Sequence, residues 1–95
     1  MAYKKQYRFE WSRRVEKDFA KLDKTAQRFV LRKIEQIEKS VADPLKDAAK
    51  IVNFKNLYRY RFGDYRVIFA VNEGKVIDIL VIHRIQHRKD AYKDL

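Results

Sequence analysis

Aromatic and polar residues alternate at the start of the chain. Positions 3, 7 and 9 are aromatic, while positions 4, 6, 8 and 10 are polar or charged. Successive side chains of a β-strand point to opposite sides, so a period of two is typical of a strand with one buried face. We therefore predict a first strand over residues 3–10.

The period lengthens to that of a helix after residue 11. Val15, Phe19 and Leu22 recur three or four positions apart, which is the spacing of one helical face. Ser12 precedes this stripe, and serine commonly caps the N-terminus of a helix. We predict a short helix that begins after Ser12.

A second apolar stripe predicts a longer helix. It follows a turn at residues 23–25, and its members are Ala26, Val30, Ile34, Ile37 and Val41. Pro44 cannot continue a helix and favours extended geometry at the residue before it, so we predict that this helix ends near Val41 or Ala42. Two helices joined by one tight turn form an αα-hairpin.

The second half of the chain returns to the period of a strand. Apolar residues alternate with others over residues 57–62 and 65–71, on either side of a turn at Gly63. Another turn at residues 72–74 precedes residues 75–82, which are rich in Val, Ile and Leu, as a central strand is. We predict an antiparallel meander of these three strands, with a short strand or an extended approach within residues 49–54.

These elements predict one α+β domain over residues 1–95. The order is an N-terminal strand, the αα-hairpin, the antiparallel β-meander and a short C-terminal tail or last helical turn over residues 88–95. The helices must cover one face of the sheet to bury their apolar stripes, which gives a two-layer sandwich with an antiparallel sheet. The other face of the sheet is left open.

The composition excludes several kinds of site. The chain has no cysteine, so a disulfide framework, a thiolate nucleophile and a cysteine-ligated zinc site are excluded. Its two glycines serve turns, and neither a glycine-rich phosphate loop nor a nucleophile elbow is present. We expect no cofactor and no metal.

The longest apolar run spans residues 67–71, whereas a membrane-spanning helix needs about 20 apolar residues. We therefore expect a cytoplasmic protein without a membrane segment.

The net charge of the chain indicates the kind of partner that it binds. Lysine and arginine number 23 and acidic residues 13, which gives a net charge of +10. A surface this basic attracts polyanions, and a phosphate backbone releases counterions when it binds there. Net charges of about 2 to 8 suffice for the solubility of a small domain, so we expect a nucleic acid or an acidic protein as partner.

Three arginines are expected on the open face of the sheet. Arg59 and Arg61 alternate with apolar residues, so they emerge together on the side away from the helices. Arg66 follows across the turn at Gly63 and can lie beside them. Opposed like charges cost about a few tenths of a kcal/mol, which favours a binding role. A set of solvated arginines is the alternative.

The C-terminal segment adds a second group of polar side chains. His87, Arg88 and Tyr92 follow the predicted last strand. They supply an imidazole that exchanges protons near neutrality, a guanidinium that holds phosphate oxygens and a phenol that stacks or donates. His83 ends the apolar strand, where a structural role is as frequent as a functional one. The two histidines have no acidic partner set, so a metal pair is not expected.

Two stretches resemble a known family. LYRYRFGDYRVIF at residues 57–69 and HRKDAY at residues 87–92 are similar to the RelE/ParE toxin superfamily of bacterial and archaeal toxin–antitoxin systems. The resemblance covers nearly the whole chain in the order of its elements. The motifs are short, so they indicate the superfamily more specifically than the branch.

The resemblance implies a RelE-type toxin. Such a toxin enters the ribosomal A site, cleaves mRNA there as an endoribonuclease, inhibits translation and is restrained by a RelB-like antitoxin. The family's basic strand positions fall on Arg59 and Arg61, its phosphate-stabilising arginine on Arg66, its C-terminal arginine on Arg88 and its tyrosine on Tyr92. Further cations are predicted to contact RNA or the ribosome, namely Arg13, Arg14, Lys17, Lys55, Arg84 and Lys89.

The expected chemistry leaves one role open. Internal RNA cleavage needs a base for the 2′-hydroxyl, cations for the phosphorane and a proton for the leaving 5′-oxygen. We assign charge stabilisation to the three strand arginines and protonation of the leaving group to Arg88 or His87. The sequence has arginines where the family often has lysines, and a guanidinium does not deprotonate in ordinary proteins. The base is open between His87, Lys55 and geometry supplied by the ribosome, in that order.

Two other functions remain open. The ParE branch of the superfamily poisons DNA gyrase, which predicts blocked supercoiling and intact mRNA. A non-catalytic basic module that binds RNA or an antitoxin predicts salt-sensitive binding without cleavage. A neighbouring gene that encodes a small acidic or amphipathic protein would support either toxin hypothesis.

Overall fold

The helices and strands follow one another in the predicted order. A computed structural model describes residues 6–40 and 44–89. Its elements are β1 (Gln6–Trp11), α1 (Arg13–Ala20), α2 (Lys24–Ser40), β2 (Ala49–Lys50), β3 (Leu57–Phe62), β4 (Tyr65–Asn72) and β5 (Ile77–His87). The predicted α+β class, with a helical hairpin and a β-meander, is confirmed. The predicted start of the first strand at residues 3–5, the helix end at residues 41–42 and the tail beyond residue 89 lie outside the described residues.

The sheet is mixed. Its strand order is β1-β5-β4-β3-β2, and β3, β4 and β5 form the predicted antiparallel meander. β1 pairs with β5 in parallel, with Phe9 opposite Leu80. An alternating pattern predicts which side chains are buried, but it carries no information on the direction of the neighbouring strand. The expectation of a fully antiparallel sheet therefore does not hold for this pair.

Side-chain caps set the start of both helices. The Ser12 hydroxyl accepts a hydrogen bond from the Val15 amide at 3.2 Å, and the Asp23 carboxylate accepts one from the Ala26 amide at 2.8 Å. Each cap satisfies an amide that has no partner within its helix. Neither of these helices, as far as the structure describes them, has the length and hydropathy to cross a membrane.

The core lies between the helices and one face of the sheet. Val15, Val30 and Ile34 of the helices are buried against the strands. The rings of Tyr60 and Phe69 stack, with centroids 4.5 Å apart and an interplanar angle of 17°. The buried apolar residues of the strands are Phe9, Tyr60, Phe62, Val67, Phe69, Val71, Leu80, Ile82 and Ile85. Their alternation assigns the intervening side chains to the opposite, open face of the sheet.

β5 runs further than the sequence pattern predicts. The predicted strand ends at residue 82, but pairing with β4 continues to His87. The consecutive β4 residues Ile68 and Phe69 pair with residues 84 and 82, so His83 is an extra residue in β5. Such a β-bulge lets a strand continue after its register has shifted. The predicted strand within residues 49–54, in contrast, is only the two-residue β2.

α1 covers the edge of β5 where β1 ends. The last residue of β1, Trp11, is opposite Ile82. Beyond that point, Oδ2 of Asp18 accepts hydrogen bonds from the Ile85 amide at 3.1 Å and from Nε of Arg84 at 2.8 Å. The contact is sheltered, since the side chains of Asp18 and Arg84 are 12% and 19% exposed. It ties α1 to the strand that leads into the C-terminal segment.

Candidate functional site

The β3–β4 hairpin brings the predicted arginines together. Arg61 is directly opposite Arg66, and Arg59 is opposite Ile68 one step further along the same face. The neighbouring residues Tyr60 and Val67 are buried in the core, so the arginines emerge on the open face because side chains alternate along a strand. The expected convergence of arginines from the two strands is present in the structure.

Arg88 joins this group from the end of β5. A cavity of about 190 Å³ is lined by Arg61, Gly63, Asp64, Tyr65, Arg66 and Arg88, and we call it the arginine cavity. The Arg88 amide donates a hydrogen bond to the Asp64 carbonyl at 2.6 Å, which fixes the segment after β5 against the hairpin turn. Gly63 adopts a positive φ of 59° in that turn, a conformation that glycine accepts at little cost.

A second small cavity extends the row of cations. It has a volume of about 180 Å³, and Arg59, Arg61 and Arg66 line it together with Asp47 and Ala49. Arg61 and Arg66 therefore lie between two openings on the same face. Within the described part of the chain, the guanidinium groups of Arg59, Arg61 and Arg88 form no ion pair. Their charge is available to a bound anion.

His87 lies on the other side of the sheet from these guanidinium groups. It is opposite Tyr65 in the β4–β5 pair, and the two rings meet edge to face at 5.2 Å and 90°. Nδ1 of His87 accepts a hydrogen bond from the Lys89 amide at 3.1 Å. A neutral imidazole with Nδ1 as acceptor carries its proton on Nε2, so His87 presents an N–H donor to its surroundings.

Those surroundings form a groove of about 530 Å³ beside α1 and the turn that follows it. Its lining includes Lys21, Leu22, Asp23, Tyr65, Ile85 and His87, and we call it the His87 groove. Tyr65 lines both this groove and the arginine cavity. The two openings are therefore adjacent and meet at Tyr65.

The other predicted site residues are dispersed. Arg84 is held in its ion pair with Asp18. Lys55 is exposed before β3, at the end of that strand away from Gly63. Arg13, Arg14 and Lys17 are exposed on α1, and Lys89 is exposed after β5. Tyr92 lies outside the described residues. None of the described residues in this group lines the arginine cavity.

Asp64 and Tyr65 are cavity residues that were not predicted as site residues, since they follow Gly63 in the predicted turn and at the start of the predicted strand over residues 65–71. Both line the arginine cavity. The signal was their position in the sequence, since a hairpin turn between two outward-facing arginines places its own side chains beside them. Among the residues that the structure describes, no group of three His, Asp or Glu side chains is arranged to hold a metal ion.

A family model matches most of the chain. The model describes the ParE toxin of the type II toxin–antitoxin system parDE, and the match spans residues 9–92. The chain belongs to the ParE toxin family. Toxin RelE3 of Methanocaldococcus jannaschii is 37% identical over 57 residues, which are 60% of this chain and 60% of that toxin. The chain thus matches less than two thirds of the length of this curated relative.

Solved structures of RelE toxins share the fold. A chain of the archaeal RelE–RelB complex from Pyrococcus horikoshii is 28% identical, with a TM-score of 0.64 over 90% of this chain and 99% of that one. A chain of the RelB–RelE complex from Methanococcus jannaschii is also 28% identical, with a TM-score of 0.66 over 90% of this chain and 96% of that one. The prediction of a RelE-type member of the RelE/ParE superfamily is confirmed.

Proposed function

We propose that this RelE-type toxin is a ribosome-dependent endoribonuclease that cleaves mRNA in the A site and inhibits translation. The observation that carries the proposal is the arginine cavity, where Arg61, Arg66 and Arg88 from three separate segments line one opening. Three guanidinium groups around a small cavity suit a phosphate, because each presents planar N–H donors and a permanent charge.

The reaction is an internal transesterification. The 2′-oxygen attacks the adjacent phosphorus, and the bond from phosphorus to the 5′-oxygen breaks, which leaves a 2′,3′-cyclic phosphate and a 5′-hydroxyl. Negative charge on the phosphoryl oxygens grows in the transition state. Preorganised donors at that position lower the barrier more than they stabilise the bound substrate. We assign this role to Arg61 and Arg66, with Arg59 as a further contact for the RNA backbone.

Asp64 is the proposed proton acceptor. The resemblance implies lysines at the basic strand positions, but this chain has arginines there, and arginines do not deprotonate. Among the described side chains that line the arginine cavity, Asp64 alone is a carboxylate. Its carboxylate forms no ion pair within the described residues, so it is free to take the 2′-hydroxyl proton. Lys55 lies at the far end of β3 and is not part of this proposal.

Arg88 is the proposed donor to the leaving 5′-oxygen. It lines the arginine cavity, whereas His87 lines the groove on the other side of the sheet. Of the two predicted donors, we therefore assign this role to Arg88, which lines the same cavity as Arg61 and Arg66. It hydrogen-bonds the leaving oxygen, and water supplies the proton. The predicted role of Tyr92 stays a prediction.

The proposed partner is a RelB-like antitoxin, and the proposed location is the cytoplasm, where ribosomes and mRNA are found. The matched archaeal structures are complexes of RelE with RelB. With a net charge of +10, the positive side chains of the toxin repel one another, and an acidic antitoxin segment that folds onto the toxin would reduce this repulsion.

Gyrase inhibition is the second candidate, because the matching family model describes a ParE toxin.

The test is to add the purified protein to a translating extract and map mRNA 3′ ends. We expect ends with cyclic phosphate at A-site codons. Arg66→Ala should slow cleavage about 100-fold or more, and Asp64→Asn should slow it without weakening RNA binding, because it removes a negative charge. Arg32→Ala, an exposed arginine on α2, is the matched control. Intact mRNA together with blocked gyrase supercoiling would replace this proposal with the second candidate.

A further inference from the structure

The His87 groove has the dimensions and lining of a ligand site, and the proposed chemistry does not use it. Its volume of about 530 Å³ lies within the range of small-molecule pockets, roughly 300 to 1,000 Å³. Leu22, Ile85 and Tyr65 supply apolar surface. The polar lining residues are Asp18, Lys21, Asp23, Arg84, Gln86 and His87. A flat heteroaromatic ring with hydrogen-bonding edges, such as a nucleobase, matches this mixture.

The polar groups of the groove have defined hydrogen-bonding roles. The Lys89 amide occupies Nδ1 of His87, so Nε2–H is the group left to donate. Oδ1 of Asp23 caps α2 at the Ala26 amide, and its second oxygen has no partner within the described residues. Asp18 and Arg84 also line the groove but are paired with each other. Besides them and Gln86, the groove offers one ring donor, one carboxylate acceptor and the cation of Lys21. A donor and an acceptor in fixed places can distinguish bases by their edges.

The position of the groove relates it to the proposed cleavage site. Tyr65 lines the groove and the arginine cavity. His87 and Arg88 are consecutive residues, and they line the groove and the cavity respectively. A nucleotide whose phosphate is held by the guanidinium groups can therefore place its own or the next base around the Tyr65 ring.

We propose that the His87 groove binds the base of a nucleotide next to the scissile phosphate and sets the base preference of cleavage. The proposal rests on the proposed nuclease function. His87 donates from Nε2 to an acceptor on the base edge, Asp23 accepts from an exocyclic amino group, and Tyr65 packs against the ring. The three residues select the site of cleavage and take no part in the proton transfers.

The experiment uses ribosomes that carry a panel of mRNAs differing in one nucleotide of the A-site codon. Cleavage rates give the ratio between the best and the worst base at each position. His87→Phe keeps an aromatic ring but removes the donor, and Asp23→Ser keeps a helix cap but removes the carboxylate. Glu73→Gln, an exposed residue of the β4–β5 turn, is the control with the same loss of charge as Asp23→Ser.

We expect His87→Phe and Asp23→Ser each to change that ratio at one codon position by about five- to a hundredfold, as one base-edge contact does, and Glu73→Gln to leave it unchanged. Variants that slow cleavage at all codons by the same factor, or a wild-type protein without base preference, would overturn the inference while the nuclease proposal stands.

If the wild-type protein cuts no mRNA, the nuclease proposal fails. Binding of short single-stranded RNAs of different composition then tests the groove, and equal discrimination by wild type and His87→Phe would refute it.

Discussion

The two faces of the β3–β4 hairpin differ in what their side chains do. On the face toward the helices, Tyr60, Val67 and Phe69 are at most 2% exposed and fill the core. On the open face, Arg61 is opposite Arg66, a pairing of like charges that weakens the sheet slightly. Stability and ligand binding are thus carried by alternate residues of the same two strands. Substitutions on the face toward the helices should therefore change stability, whereas substitutions of their sequence neighbours on the open face should change activity.

Phe69→Ala should give the largest loss of stability. The Phe69 ring is fully buried and packs against Tyr58, Tyr60 and Phe9. Removal of a buried aromatic ring costs about 3–5 kcal/mol, because it loses apolar burial and leaves a cavity. Chemical denaturation followed by circular dichroism measures the change. A loss below about 1 kcal/mol would mean that the helical face of the hairpin is not the core that the structure shows.

Asp18→Ala should give an intermediate loss. It removes the ion pair with Arg84 and leaves the Ile85 amide without its acceptor at a sheltered edge. An unsatisfied polar group of this kind costs about 1–3 kcal/mol. The same denaturation measurement applies. Glu35→Ala, at an exposed position of α2 that forms no ion pair with the described residues, is the control. Equal losses in the two variants would show that the contact of α1 with β5 contributes nothing specific.

Arg61→Gln should change stability least and function most clearly. It removes one of two opposed charges, so the free energy of unfolding should stay constant or rise by about a few tenths of a kcal/mol. The same variant should slow mRNA cleavage tenfold or more, since a guanidinium is lost from the arginine cavity. Denaturation and cleavage assays on one preparation test both expectations. A marked loss of stability would contradict the functional separation of the two faces.

The sequence was sufficient for the class of fold because local signals were strong. The cap at Ser12, the apolar stripe of α2 and the alternation around Gly63 each have a direct physical cause, and the structure shows the predicted elements there. The parallel pairing of β1 with β5 was not predicted. It depends on how distant segments meet, which no local period encodes.

Part of the site was also predictable, because local alternation is enough to place side chains within one hairpin. Alternation within one hairpin places Arg59, Arg61 and Arg66 together, and the structure shows this arrangement. Alternation could not place Arg88 and His87 relative to that group, because β5 contains a bulge that its composition does not reveal. Asp64 was overlooked because a Gly-Asp pair between strands is sufficiently explained as a turn.

The extra residue in β5 decides which functional group reaches which side of the sheet. Leu80 and Ile82 point to the helices. If side chains alternated strictly from there on, residue 88 would point inward, toward the helices, and residue 87 would point outward. Insertion of His83 inverts that parity, and the guanidinium of Arg88 faces outward while the imidazole of His87 faces inward. Deletion of this single residue would exchange the two groups while leaving their order in the chain unchanged.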